Sequence, residues 1–302
     1  MRNKLTSSLT GAVFSLAASG MALAADIAVK GPPPAPPAPV YNWTGFYVGG
    51  NAGVGLGTYK TDFNASGTSS ETVDLTVLGL TTRELALTSN FAGSGFDQVY
   101  PGGFVGGGQI GFNWQLSPLW VVGVEGDFQG TDQKEHGNPT VGLSGPIFNF
   151  GVPVGTVHTT AAFDYTAKIE WFGTARLRAG YLFGDGAVLT YVTGGLAYGR
   201  VEIDGTTAVT VPGFGSPTQA FGHSQVNTGW VVGTGTEGKL LIPGWTYKIE
   251  GLYMDLGHLD ATGPGSSATV TIPATITTTT GVNTHTHFTD TILRLGVNYQ
   301  FH

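Results

Sequence analysis

The chain has no cysteine, and charged residues make up only 11% of its 302 positions, against about 25% in an average globular protein. Without cysteine there can be no disulfide framework, thiolate metal site or lipid-modified thiol. So little charge excludes a long exposed helix or coiled coil, which draws on Glu and Lys. A hydrophobic content of 41% excludes a disordered acidic chain. Basic residues are the scarcer sign: 13 Lys and Arg face 20 Asp and Glu, a net charge of −7, which argues against nucleic acid as a partner. Long apolar runs are missing too. None reaches the ~20 residues of a transmembrane helix, so any passage through a bilayer is made by strands.

What the chain has in excess is glycine, 49 residues, beside Thr, Val and 11% aromatics, a composition that favours β-structure. Arg2 and Lys4 precede an apolar stretch from Leu9 to Leu23 and an Ala22-Leu23-Ala24 site. Residues 1–24 therefore read as a secretory signal peptide. Its removal leaves 11 basic and 20 acidic residues, a net charge of about −9. Residues 25–40 read as a Pro-rich linker, with GPPPAPPAPV from Gly31 to Val40, an extended spacer that cannot join a sheet.

From residue 41 onward, eight segments alternate with a period of two, the mark of a strand with two unlike faces. The first sets Phe46, Val48, Val54 and Leu56 against Tyr47, Asn51 and glycines. The second and third run from Phe104 to Leu116 and from Trp120 to Gln129, parted only by Ser117-Pro118. The fourth sets Ile169, Trp171, Leu177 and Tyr181 against Lys168, Glu170, Arg176 and Arg178. A Gly184-Asp185-Gly186 turn leads to the fifth, from Val188 to Tyr198, whose apolar side is read as Val188, Val192, Leu196 and Tyr198. The sixth carries Trp230 and Val232 opposite Asn227 and Glu237. After Pro243-Gly244, the seventh sets Trp245, Tyr247, Ile249 and Tyr253 against Lys248 and Glu250. The eighth alternates Leu293, Leu295, Val297, Tyr299 and Phe301 with Asp290, Arg294 and Asn298.

The connections alternate between tight turns and long stretches, the latter at about 58–101, 130–166, 199–224 and 257–287. An even number of antiparallel strands with short turns on one side and long loops on the other is the outer-membrane pattern. The expected fold is all-β: an eight-stranded antiparallel up-and-down transmembrane barrel over residues 41–302. The apolar face is assigned to lipid. Trp43, Trp114, Trp120 and Trp245 fall at the turn end and Trp171 and Trp230 at the loop end, as two aromatic girdles. The polar face carries six acids, Glu125, Asp127, Glu170, Glu237, Glu250 and Asp290, and six bases, Lys168, Arg176, Arg178, Lys239, Lys248 and Arg294. An eight-stranded barrel is filled by side chains, and buried charges must pair, so this set is expected to plug the lumen.

Several stretches resemble one family. They are VYNWTGFYVGGNAGVG from Val40, GVEGDFQ from Gly123, WFGTARLRAGY from Trp171, YVTGGLAYG from Tyr191, GWVVG from Gly229 and LRLGVNYQF from Leu293. Together they are similar to the small outer-membrane barrels of alphaproteobacteria, the RopB-like or outer membrane immunogenic protein family within the OmpA-like barrel superfamily. The resemblance implies an abundant surface protein of the outer membrane, linked to envelope integrity and host contact, with some members described as porins. It also implies that a terminal aromatic, here Phe301, is read by the outer-membrane insertion machinery. Lipid and lipopolysaccharide, and a host or surface ligand at the loops, are the remaining expected partners.

Chemistry-bearing motifs are few. Gly106-Gly107-Gly108 precedes no helix and is no dinucleotide fingerprint. His285 and His287 share a strand face, but the sequence shows no third metal ligand near them. No catalytic residue, cofactor or metal site is therefore expected. The expected role is structural and surface-interacting, with a narrow porin-like channel as the alternative.

Overall fold

A computed structural model describes residues 41–74, 84–149, 151–210, 218–271 and 274–301. The expected signal peptide and linker lie outside the described residues. Eleven antiparallel strands are present among them: β1 (Gly45–Asp74), β2 (Glu84–Val99), β3 (Gly102–Gln115), β4 (Trp120–Thr131), β5 (Lys134–Gly137), β6 (Thr140–Asn149), β7 (Val152–Phe183), β8 (Val188–Thr210), β9 (Thr218–Lys239), β10 (Trp245–Thr271) and β11 (Ala274–Gln300). Strands β1, β3, β4, β7, β8, β9, β10 and β11 form a ring that closes where β11 pairs with β1. This is the expected eight-stranded up-and-down barrel, and closure leaves no open edge within the bilayer.

Facing follows the alternation. Leu56, Ile110, Leu177, Leu196, Ile249 and Leu295 stand exposed on the outer wall, while Tyr47, Asn113, Glu125, Arg176, Glu250 and Arg294 are buried inside. The outward set on β8 includes Val192, Leu196 and Tyr198, and on β10 Trp245, Tyr247, Ile249 and Tyr253.

The long connections are a correction to the sequence reading. Most of their described residues are strand, not loop. β1 runs for 30 residues and β7 for 32. At ~3.3 Å per residue the latter spans about 100 Å. Tilted by 35–45° it is still roughly three times as tall as a ~25 Å apolar band. Above the ends of β3 and β4, β1 pairs with β2, β2 with β6, and β6 with β7, while β5 also pairs with β7. The cylinder thus continues outward with β2 and β6 in place of β3 and β4. The β9–β10 ladder covers Trp230–Lys239 and Thr246–Asp255.

On β1 and β11 the strand phase does not change at the top of the apolar band; the polarity does. On β1 the inward positions become Tyr59, Phe63 and Ala65, all buried, and the outward ones Lys60, Asp62 and Asn64, all exposed. Rings meet across this upper interior: Phe63 with Phe163 at 4.5 Å, Phe63 with Tyr165 at 5.2 Å, and Tyr59 with Phe288 at 4.7 Å. Water surrounds this part, so the hydrophobic effect directs apolar groups inward. Within the band, lipid reverses that preference.

Candidate functional site: the barrel interior

Register alone brings opposite charges together. Glu125 on β4 lies across from Arg176 on β7, Glu250 on β10 from Arg294 on β11, and Lys248 on β10 from Glu237 on β9. Arg176 then reaches further. Its guanidinium contacts Glu125, Asp127 at 2.9 Å and Glu250 at 3.1 Å. Arg294 donates to Asp127 at 2.7 Å and from Nε to Glu250 at 2.7 Å. Lys248 Nζ bridges both oxygens of Glu125 at 2.7 and 2.8 Å.

Toward the turn end, Arg178 holds Glu237 at 3.1 Å and donates from Nε to Asn113 at 2.8 Å. Its guanidinium lies 4.6 Å from the Tyr47 ring centre and 5.2 Å from that of Tyr191. The Tyr47 hydroxyl donates to Glu125 at 2.7 Å, and Tyr191 to Glu250 at 2.8 Å. Gly111 makes room for this, because a Cβ there would strike the Tyr47 ring. The connected set is four carboxylates, Glu125, Asp127, Glu237 and Glu250, and four bases, Arg176, Arg178, Lys248 and Arg294, all buried. With the charges matched and in contact, the Coulomb gain can offset the several kcal/mol of desolvation per ion.

The other members of the expected six-and-six set lie elsewhere. Asp290 is buried but accepts from Gln133 Nε2 at 3.0 Å, apart from the bases. Lys239 sits at the turn end with its ammonium 4.2 Å from the Tyr41 ring centre. Lys168 and Glu170 are corrected outright: they are on the outer wall. A register shift between Ile169 and Trp171 in the β7–β8 ladder reverses the phase of β7, so Ile169 is buried inside and its neighbours turn out. There Lys168 meets Glu202 at 3.2 Å and Glu170 at 3.4 Å, and Arg200 meets Glu170 at 3.0 Å.

Trp43 is a second correction. It is fully buried and packs inside the turn-side mouth with Val121, Leu182, Leu189 and Tyr191. Its Nε1 donates to the Gly186 carbonyl at 2.9 Å, and Tyr41 packs edge-on at 5.2 Å. No alternation announces this, because Trp43 precedes the first strand. The other five Trp lie on the outer wall. Trp114 sits beside Phe112, Trp120 beside Tyr181 and Trp245 beside Tyr299 at the turn end. Trp171 stacks on Phe128 at 5.3 Å, and Trp230 meets Tyr253 at 5.5 Å, at the loop end. Phe301 is exposed, its ring 5.0 Å from Tyr299 and 5.9 Å from Phe46.

Three layers therefore fill the bore in sequence: the Trp43 cluster below, the ion network at mid-height and the apolar core above. In the upper layer, burial and the Asp97 carboxylate push the Tyr165 phenol above its usual range, with its hydroxyl donating to Asp97 at 3.0 Å.

The chain matches the outer membrane protein beta-barrel domain family over residues 11–301. It is 35% identical over 238 residues to the 31 kDa outer-membrane immunogenic protein of Brucella melitensis biotype 1, covering 78% of this chain and 81% of that one. The protein of the same name from Brucella suis biovar 1 matches with the same figures. Among solved structures, the outer membrane protease OmpT from Escherichia coli is 10% identical, with 84% of this chain and 97% of that one covered. The TM-score of that superposition is 0.30.

Proposed function

The chain belongs to the outer membrane protein β-barrel family and resides in the outer membrane, and from that premise we propose that it is a structural and surface-interaction protein of the envelope, without catalysis. The observation that carries this reading is the filled bore. Opening a passage for hydrated solutes would require several contacts among Arg176, Arg294, Lys248 and their carboxylates to break together, and each unpaired ion would then cost several kcal/mol. What the protein offers its surroundings is its outside: an apolar band for lipid, a polar wall above it for lipopolysaccharide and a raised rim for a host or surface ligand. During assembly, the insertion machinery would read the β11 alternation that ends on Phe301.

The test is transport. The refolded protein in planar bilayers should give no steady porin-sized conductance and should not speed sugar entry into liposomes. A stable large conductance from the unmodified chain would overturn the closed-barrel reading and put the narrow channel in its place.

A further inference from the structure

Above the loop-side girdle, the outer wall of β10 and β11 carries three histidines. His258 lies across the ladder from His287, and Asp260 lies across from His285. The His258 ring stacks on both others, 4.2 Å from His287 and 4.4 Å from His285. A β-bulge brings it there. The β10 register shifts between Asp255 and His258, and Gly257 takes φ +72°, a left-handed conformation in which an L side chain is strained. The shift turns both Asp255 and His258 outward, while Leu256 and Leu259 stay buried. Without the bulge, residues 255 and 258 would face opposite sides of the strand. Bulges often serve to re-aim one side chain in this way.

Two carboxylates orient the flanking rings. Asp260 meets His285 Nδ1 at 2.5 Å, and Asp255 meets His287 Nε2 at 2.9 Å while also accepting from the Gly257 amide at 2.8 Å. Each pairing leaves one ring nitrogen for another partner: Nε2 of His285 and Nδ1 of His287. A carboxylate behind an imidazole is the usual outer shell of a metal-ligating histidine, where it sets the tautomer and raises basicity.

We propose that His258, His285 and His287 form a surface site for a borderline transition-metal ion of the zinc class. Three imidazoles with an open position for water suit that class. In the metal-free arrangement the rings stack, and among the described residues no three ligand side chains converge on one point. Binding requires His258 and His285, both exposed, to turn about their side-chain bonds, exchanging the stack for metal bonds.

The experiment is calorimetric titration of zinc chloride into the untagged, refolded barrel in detergent micelles, with the cobalt absorption spectrum as a second readout. One saturable equivalent is expected, with nitrogen-ligand cobalt bands. His258→Ala should weaken binding at least tenfold, and His285→Ala with His287→Ala should abolish it. His223→Ala, on the neighbouring strand, should change nothing. Heat modifiability on gels verifies that each variant has folded. Absence of saturable binding, or binding that is indifferent to His258→Ala, would overturn the site.

Discussion

Six strands of the ring, β1, β7, β8, β9, β10 and β11, run through both halves of this barrel, and the two halves have opposite interiors. Along β11 the even positions point inward throughout. In the membrane half they are Arg294 and Asn298; above it they are Phe288, Thr286 and Thr284. The odd positions point outward throughout, and change from Leu293, Leu295 and Val297 to Asn283 and His285. On β1 and β11 the backbone phase therefore passes the boundary unchanged, and the solvent outside decides the chemistry of both faces. Where lipid covers the wall, the outer face takes the apolar groups and the interior is left to a neutral charge network. Where water covers it, the interior becomes an ordinary core in which aromatic rings pack tilted or edge-on against one another.

The largest effects should come from the interiors, for different reasons in each half. Glu125→Ala would leave Lys248 and Arg176 facing each other without their shared carboxylate, and should cost about 3–5 kcal/mol in a vesicle unfolding titration. Phe288→Ala, above, should cost a similar ~3–5 kcal/mol through a cavity beside Tyr59. If Glu125→Ala costs under about 1 kcal/mol, the network is not what holds the lower half. On the outer wall the halves should part. Leu295→Arg faces lipid and should cost about 2–4 kcal/mol. Asn283→Arg occupies the same phase of the same strand in water and should stay within about 0.5 kcal/mol. Equal costs for these two would erase the boundary. Smaller still is Glu170→Ala. On the outer wall, with partly exposed partners, it should cost roughly 0–1 kcal/mol; a loss as large as that of Glu125→Ala would return Glu170 to the interior.

The membrane half was readable from the chain because lipid-facing leucines and aromatics alternate with glycines and charges, and that contrast survives without any knowledge of neighbours. The upper half hid in plain alternation. Tyr59, Phe63 and Ala65 alternate with Lys60, Asp62 and Asn64 as regularly as anything below, but with polarity inverted and diluted by threonine and glycine, so the stretch reads as loop. Alternation alone puts Lys168 and Glu170 on the inner face; the bulge between Ile169 and Trp171 resets the phase, and a bulge leaves no trace in composition. The same limit applies to the histidines: His285 and His287 are legible as a pair, whereas His258 joins them only through the Gly257 bulge. Trp43 lies outside every periodic segment, and its place in the bore follows from the closed ring, which no local pattern encodes.

The absence of cysteine makes the central claim directly measurable. Single cysteines placed along 281–299 can each carry a nitroxide label in the refolded, lipid-embedded barrel. Collision with oxygen, enriched in the bilayer, can then be compared with collision with a water-soluble chromium complex. Odd positions from Leu293 to Tyr299 should collide with oxygen, odd positions from Asn283 to His287 with the chromium complex, and the even positions weakly with either, with the switch falling between His287 and Leu293. Lipid exposure that continues unchanged through Asn283, or chromium access to positions 290, 294 and 298 matching that at 283, would contradict one continuous barrel with two opposite interiors.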